Sequence, residues 1–476
     1  MRLSDLASLP GVLAISGDAE VSSVTLDSRE ARAGSIFVAS KGLSLDGHDF
    51  VGGALAAGAA VAVSRADVFD GLAPAVLVHD SVDATWRICK EVYADPSSKL
   101  KLIGVTGTNG KTTVAWVLRQ ALEALGTNTA YIGTLGAFVG HDRIDTGLTT
   151  PFSPEINEFL KRCVESGVES VTMEVSSHAL AQRRVDGLEF DVAVFTNLSQ
   201  DHLDFHTDFE DYFAAKKRLF EDLPSKKQLV AVINADDEFG RRIDAKGHVI
   251  TFGRQGSLKL LNSSATLDSV CLEIEYEGSV ISVNAPLGAR FNVSNTLAVF
   301  GALLALGYPV QACIKAVEAV KGAPGRFESV PSNKDFKVIV DYAHTPDALE
   351  KVLQSARELT EGRLICVFGC GGDRDKSKRP KMAEAASAIA DIVWVTSDNP
   401  RTENPDAIIA DILPGLVDGS VSRVEVDRRM AIKGAIAEAE AGDCVVIAGK
   451  GHENYQIIGK EKTHFDDKEV AAEALA

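Results

Sequence analysis

At roughly 150 residues per domain, a chain of 476 residues suggests about three domains, each large enough to bury its own core. Charged residues make up 24% and the nine apolar types 45%, which is ordinary for a globular chain and excludes the disordered class. The formal charge of −18 argues against nucleic acid as the main partner, because phosphate backbones are held by basic patches, but leaves room for an anionic small molecule where cations gather locally. Seven cysteines (Cys89, Cys163, Cys271, Cys313, Cys366, Cys370, Cys444) are scattered without a C-x-x-C pair, which argues against a zinc site or a disulfide framework and points to a reducing, cytoplasmic setting. The start "MRLSDLASLPGV" lacks the pattern of a secretory signal, and the most apolar segments fall short of the ~20 residues of a membrane helix. No membrane span is expected.

Residues 1–99 carry short β-like pieces, "VSSVTLD", "SIFVAS", "AAVAVS" and "AVLVHD", with helical pieces between them, and close on the turn-like "ADPSSKLK". From residue 100 the apolar runs "KLIGVTG", "SVTMEVS", "DVAVFTN" and "LVAVINA" alternate with helical stretches, the pattern of a parallel sheet covered on both faces. "KGAPGRFESV" interrupts that pattern. A second alternation follows, in which "FKVIVDYA", "RLICVFG", "DIVWVTS" and "CVVIAGK" each run into polar sequence. The expected fold is α/β in three domains: a mixed α/β domain at 1–99, a central parallel-sheet domain with a phosphate loop at 100–325, and a Rossmann-like domain at 326–476.

The central chemistry starts at "LIGVTGTNGKTTVAWVLRQAL", a strand, a glycine-bearing turn and an amphipathic helix. In the ordinary phosphate loop, G-x-x-x-x-G-K-[ST], a glycine stands five positions before Gly110; here that place is Val105, flanked by Gly104 and Gly107. Gly107 and Gly110 still allow positive φ or close approach, so that backbone N–H groups cradle phosphate at the positive end of a helix starting at Lys111. Lys111 supplies a point charge, and the Thr112 hydroxyl suits Mg²⁺. Two nearby strand ends add metal-friendly groups: Glu174 in "TMEVSSHAL", and Asn197, Asp201, His202, Asp204 and His206 in "NLSQDHLDFH".

Thr207 and Glu210 have capping-box spacing, so a helix is expected from there. At 100° per residue Phe209, Phe213 and Phe220 share a face, with Lys216 in its middle and Lys217 at its edge. Lys216 is then either a snorkelling cation or a desolvated amine, neutral often enough to react with CO₂ and become an anionic carbamate. Periodicity leaves both open.

In open parallel sheets, ligands sit beyond the carboxyl ends of the strands. The last four strands feed "HTPD", "CGGDRDKSKRP", "DNPRTENP" and "GKGHENY", so charged groups from all four are expected to converge at one rim. Taken singly, each is equally well a solvated loop.

Together "TGTNGKTT", "EVSSHAL", "NLSQDHLDFH", "AAKKRLF", "FNVSNTLAV", "GRFE", "DYAHTPDALE" and "GKGHE" resemble, in order and over nearly the whole chain, the Mur ligases of peptidoglycan synthesis, ATP-dependent enzymes that join an amino acid to a UDP-muramoyl peptide. Within that family, "TLDSRE", "GCGGDRDKSKRP" and "DNPR" match the members that extend UDP-N-acetylmuramoyl-L-alanyl-D-glutamate. The resemblance implies ATP and Mg²⁺ as cofactors and an acyl phosphate that an incoming amine converts to an amide. It assigns Gly107, Thr108, Asn109, Gly110, Lys111, Thr112 and Thr113 to the ATP phosphates, Asn292 and Asn295 to the base, Asp341 to the ribose, and Arg326, at a hinge near "GAPGRFE", to the γ-phosphate. Thr112, Glu174, His202 and Lys216, as a carbamate, would ligate metal. Leu26, Ser28 and the loop Gly42–Gly47, with Leu43, Ser44 and Leu45, would meet uridine, whereas Thr149, Thr150, Ser176, Gln182 and Arg184 would meet the muramoyl peptide.

The family resemblance also ties an arginine at the end of Asp398-Asn399-Pro400-Arg401 to meso-diaminopimelate rather than lysine. The far carboxylate of diaminopimelate suits a bidentate guanidinium, whereas lysine offers only hydrogen there and an ammonium that Arg401 repels. Asp398, Asn399 and Glu453 are expected to bind the neighbouring ammonium, Gly449 to allow close backbone approach, and Arg374 to hold the carboxylate beside the reacting amine, with His344 and Pro400 completing the pocket. The alternative for Arg401 is a surface pair with Glu403. Competing functions are a lysine-adding ligase, a folylpolyglutamate or cyanophycin synthetase, and a non-catalytic structural subunit. The hundred residues before the phosphate loop argue against folate-type ligases, and the retained Lys111, Lys216 and Arg401 against a subunit without activity. A monomer that closes on its substrates, with residues 330–476 moving as a body, is expected.

Overall fold

The computed structural model describes residues 1–42, 45–199, 205–223 and 227–476. They form two compact units, Met1–Lys259 with Leu297–Ala316, and Leu260–Thr296 with Val317–Ala476. Among the described residues no helix is long and apolar enough to cross a membrane.

In the first unit, residues 12–78 build a five-stranded sheet in the order Val12–Ser16, Ala75–Val78, Ala60–Val63, Ser35–Val38, Ser23–Thr25. Four of these strands lie in the anticipated pieces; Val12–Ser16 was not foreseen, being a mostly half-exposed edge strand that runs antiparallel to Ala75–Val78. The second sheet of this unit sets six parallel strands side by side: His248–Gly253, Val230–Asn234, Val192–Phe195, Lys101–Thr106, Ser170–Glu174 and Thr129–Gly133. Leu102, Val171, Met173, Ala193 and Phe195 pack its core. Register places Glu174 beside Val105 and Phe195 beside Thr106, so the loops that follow these three strands leave the same edge together.

The helix Ser81–Val92 docks the N-terminal sheet onto this layer. Trp86 covers Gly187 so closely that a Cβ there would stand 2.3 Å from the ring, and Lys90 Nζ donates to Glu189 Oε1 at 2.8 Å. Gly187 also has φ +79°, in the left-handed region. Gly187→Ala is therefore expected to lower unfolding free energy by about 2 kcal/mol, read from urea denaturation; a stability equal to wild type would show that Trp86 yields freely.

Two antiparallel excursions depart from the expected all-parallel alternation. Thr129–Gly133 continues into Gly136–Val139 and Asp142–Ile144, and in the second unit Val270–Tyr276 pairs with Ser279–Ala285. Tight turns at Thr134–Leu135 and at Glu277–Gly278 explain both, the latter with positive φ at each turn residue.

The main sheet of the second unit has the order Glu328–Ser329, Lys337–Asp341, Cys444–Ala448, Leu364–Phe368, Ile392–Val395, Val421–Val424. Its two faces read directly from alternation: Ile339, Cys366, Val393 and Val446 enter one core, and Val338, Val340, Ile365, Val367, Val445 and Ile447 the other. The four anticipated strands are parallel neighbours, so their four polar loops emerge at one rim.

The helix anticipated from Thr207 runs Phe209–Glu221, and its cap is Asp208, whose carboxylate accepts from the Asp211 N–H at 2.8 Å. Glu210 does not close a capping box; it pairs with Arg242 at 2.6 Å. All seven cysteines are thiols, and six are buried. Burial pushes Cys163, Cys366, Cys370 and Cys444 up to about 12 and Cys313 to about 11, whereas Cys271 on the Val270–Tyr276 strand is exposed.

Candidate active site

Val105, at the place of the absent glycine, lies fully buried within the strand Lys101–Thr106, so that position belongs to the core and not to the loop. The turning is done by Gly107 (φ +146°) and Gly110 (φ +87°). A Cβ on Gly107 would come within 1.9 Å of Thr196 Oγ1. The helix Lys111–Ala124 begins immediately after Gly110, with Thr112 and Thr113 buried in its first turn. Asn109 is braced from the neighbouring strand end: its N–H donates to Asn197 Oδ1 at 3.0 Å and its carbonyl accepts from Thr196 Oγ1 at 2.6 Å. Thr108 Oγ1 donates to Ser199 O at 3.1 Å. Lys111 Nζ lies across the loop, donating to the Gly107 and Thr108 carbonyls at 2.9 and 2.8 Å.

Glu174 is fully buried beside this loop. Its Oε2 accepts from Thr112 Oγ1 at 2.9 Å and Thr134 Oγ1 at 3.1 Å, and its Oε1 from the Thr134 N–H at 2.8 Å and from the Tyr131 hydroxyl. A carboxylate and a hydroxyl held in contact at a phosphate-loop helix form a hard oxygen donor pair of the kind Mg²⁺ takes. Lys216 is 1% exposed, which rules out the snorkelling alternative. Its Nζ donates to Gly107 O at 2.8 Å and stands 4.4 Å from the centre of the Tyr212 ring. The ammonium groups of Lys111 and Lys216 thus converge on one carbonyl oxygen. Asp201, His202 and Asp204 lie outside the described residues, as do Leu43 and Ser44. Asn197 is spent on bracing the loop, and His206 faces Asp211 at 3.2 Å. Among the described residues no group of three or more His, Cys, Asp or Glu gathers as a metal cluster.

The residues assigned to the muramoyl peptide continue outward from Glu174. Thr149 Oγ1 lies 3.1 Å from Thr134 Oγ1, and Thr150 Oγ1 donates to Glu174 O at 2.8 Å while accepting from the Ser176 N–H at 3.0 Å. Ser176 caps the helix Ser177–Ala181. Arg184 donates to Thr150 O at 2.7 Å and to Gln182 Oε1 at 2.6 Å, with its guanidinium 4.2 Å over the Phe152 ring. All five form one connected patch. Of the uridine positions, Leu26 packs on the N-terminal core, Ser28 opens the short turn Ser28–Glu30, and Leu45 is 66% exposed.

In the second unit, Arg326 lies 4.8 Å over the Tyr342 ring. Asp341 accepts from the Phe327 and Ala343 N–H groups at 2.7 and 2.8 Å; burial raises its carboxyl above the usual range against the opposing pull of Arg326. Asn292 and Asn295, in the first turn of the helix Asn292–Ala305, are buried and joined through Asn295 Nδ2 to Asn292 Oδ1 at 2.8 Å.

At the rim, Arg401 does not pair with Glu403. Glu403 is taken by Arg379 at 2.8 Å and Lys376 at 3.2 Å, while Arg401 Nη1 donates to Gly372 O at 2.8 Å. Arg374 and His344 are exposed, on the loops after the two strands that flank Cys444–Ala448. Asn399 Oδ1 accepts from Lys450 Nζ at 2.9 Å and the Ile457 N–H at 3.0 Å, and its NH₂ donates to Glu453 Oε2 at 3.0 Å. Burial and the neighbouring Asp398 raise the Glu453 carboxyl; Asp398 stays below the usual range because Lys450 and Arg428 outweigh its own burial.

Lys450 and Arg428 went unremarked in the sequence. Lys450 is wholly buried 3.1 Å from Asp398, and Arg428 pairs with buried Asp467 at 2.6 Å while donating to Ala448 O at 3.0 Å. The lysine inside "GKGHE" was a visible signal; the arginine in "VDRRMA" had none.

A phosphate loop with an adjoining buried carboxylate defines a nucleotide-binding site in the first unit, and the parallel-sheet rim of the second unit gathers charged groups. The chain belongs to the Mur ligase family: the Mur ligase middle domain matches residues 105–303, the Mur ligase glutamate ligase domain residues 325–451, and the Mur ligase catalytic domain residues 20–83. It is an ATP-dependent amide ligase. UDP-N-acetylmuramoyl-L-alanyl-D-glutamate--2,6-diaminopimelate ligase of Gloeobacter violaceus is 46% identical to it, over 100% of this chain and 98% of that one. The ligase of the same name from Bacillus cereus is 42% identical over 96% and 94%. A solved structure of a ligase bearing that name superposes with a TM-score of 0.70 at 35% identity, covering 96% of this chain and 94% of the other.

Proposed function

We propose that the chain joins an amine of meso-2,6-diaminopimelate to a carboxylate of UDP-N-acetylmuramoyl-L-alanyl-D-glutamate, with ATP converted to ADP and phosphate in the cytoplasm. The carrying observation is the rim of the second unit, where Asp398, Asn399 and Arg401 follow Ile392–Val395 and Glu453 follows Cys444–Ala448, the two strands that flank Leu364–Phe368, and where Asn399 donates to Glu453; relatives named as 2,6-diaminopimelate ligases support the reading. A glutamate carboxylate of the UDP-dipeptide attacks the γ-phosphate, the P–O bond to ADP breaks, and the resulting acyl phosphate is attacked by the amine; the tetrahedral adduct then loses the amine proton and expels phosphate. Neither step needs an enzymic nucleophile, so catalysis rests on positioning and on charge placed where the transition state needs it.

Lys111 exchanges its loop carbonyls for phosphate oxygens, and the helix behind it offers its first-turn N–H groups. Thr112, Glu174 and His202 would hold Mg²⁺, which neutralises phosphate charge when bound. Lys216 would complete that set as a carbamate: its ammonium loses one proton, the amine nitrogen then bonds to the carbon of CO₂ and loses a second, and one of two cations facing Gly107 O becomes an anion. Thr149, Thr150, Ser176, Gln182 and Arg184 orient the muramoyl peptide, with Leu26, Ser28 and the Leu43–Leu45 loop on uridine. Asn292, Asn295, Asp341 and Arg326 serve the nucleotide, and Arg374 the carboxylate beside the reacting amine.

Phosphate release by the purified protein, given ATP, the UDP-dipeptide and a panel of amino acids, tests the assignment. Diaminopimelate is expected to exceed lysine in kcat/KM by at least ~100-fold, since lysine leaves the Arg401 fork without its carboxylate. Comparable values would make this an unselective ligase, and a preference for lysine a lysine-adding one.

A further inference from the structure

The hairpin Tyr455–Ile458 with Glu461–His464 stands apart from the six-stranded sheet as a two-stranded sheet of its own. Its second strand is exposed and its first only half-buried apart from exposed Ile458, so core packing gives it no evident purpose. Its first strand is instead laced to the Asp398–Arg401 loop. Gln456 Nε2 donates to Asp398 O at 2.7 Å, the Ile457 N–H to Asn399 Oδ1 at 3.0 Å, the Arg401 N–H to Ile457 O at 3.0 Å, and the Gly459 N–H to Arg401 O at 2.7 Å. The buried Lys450 ammonium adds a link, donating to Tyr455 O at 2.8 Å and to Asn399 Oδ1 at 2.9 Å.

Arg401 has φ +52°, a left-handed conformation that costs a non-glycine residue about 1 kcal/mol or more and so persists only where neighbours impose it. The two backbone bonds on either side of Arg401, which join it to Ile458 as a parallel bridge, are that imposition. The bonds to Asn399 Oδ1 fix which end of its amide faces Glu453. The bond from Gln456 pins the carbonyl between Asp398 and Asn399.

We infer that the Tyr455–His464 hairpin is the template for the amino-acid-selecting loop, and that Gln456 is a positioning residue for that selection. The inference rests on the reading that Asp398–Arg401 binds the far end of diaminopimelate, and adds to it the element that shapes the loop.

The test measures KM for diaminopimelate, ATP and the UDP-dipeptide in Gln456→Met, Arg401→Ala and the double variant. Gln456→Met keeps the side-chain length and removes the donor; Gln456→Glu, also without a donor at neutral pH, controls for packing. Both should raise the diaminopimelate KM about fivefold and lower the preference over lysine, with the other two KM values within about twofold. In the Arg401→Ala background the same change should add less than about twofold, because positioning matters only while Arg401 is there to be positioned. Amide hydrogen exchange at Arg401 should quicken in Gln456→Met. If Arg401→Ala loses diaminopimelate while Gln456→Met keeps it, or if the two effects add fully, the hairpin has no part in selection. If Arg401→Ala leaves the diaminopimelate KM unchanged, the substrate role of the loop falls, and the inference with it.

Discussion

Lys216→Ala is expected to lower the ligation rate by about 10²- to 10³-fold, the range found when one preorganised electrostatic group is removed from an active site. Short-chain carboxylic acids added to this variant should restore part of the rate, because the space left by the side chain lies against Gly107 and Tyr212 and would accept an anion in place of the carbamate. The expectation follows from burial and partners together: Lys216 is 1% exposed, points at the phosphate loop, and shares the Gly107 carbonyl with a second lysine. An intact-mass increase equal to CO₂ on the native protein, released by acid, checks the modification independently of activity. A Lys216→Ala enzyme with near-normal turnover, or one that no carboxylate rescues together with a native mass lacking the adduct, would dismiss the carbamate.

Arg401→Ala is expected to lower kcat/KM for diaminopimelate about 100-fold or more while the KM for ATP is unchanged. The guanidinium has one N–H committed to Gly372 O, and Glu403, two residues along the chain, is already bound by Arg379 and Lys376. A buried charge-assisted pair with a substrate carboxylate is therefore open to it, and its removal leaves that carboxylate without a partner. Lowering pH should weaken amino-acid binding separately. Glu453 must be ionised to receive an ammonium, and its carboxyl is raised by burial, so the diaminopimelate KM should climb as pH falls through a pKa above the usual carboxylate value. A diaminopimelate KM that Arg401→Ala leaves unaltered would remove the specificity assignment but not the ligase reading.

Much of this arrangement was legible because parallel sheets announce themselves. Runs such as "KLIGVTG" and "RLICVFG" are apolar on both faces, and their loops must then leave at one edge, so the phosphate loop, Glu174 and the four rim loops could be placed before any coordinates. The position of Lys216 came from helical periodicity alone, and its burial bears that out. What escaped has physical reasons too. Val12–Ser16 and Val421–Val424 are edge strands with weak burial patterns. The cap at Asp208 beat Thr207 because a carboxylate one residue further on reaches the same helix end. The orientation of the Asn399 amide depends on Lys450 and Ile457, residues 51 and 58 positions away, and no local pattern encodes that.

One further consequence follows from the thiols. Six of seven cysteines are buried, and burial pushes Cys163, Cys366, Cys370 and Cys444 up to about 12, Cys313 to about 11 and Cys89 well above the usual thiol value, so at neutral pH they are both shielded and protonated. Cys271 alone is exposed, on a strand whose polar groove includes Asn284 and Glu273 and none of the rim loops. Because thiolate character and access govern alkylation, a maleimide dye should enter the native protein at a single known position without any engineered cysteine. The wild-type enzyme thus comes with its own attachment point for surface immobilisation or for single-molecule fluorescence, on the unit that carries the amino-acid loops.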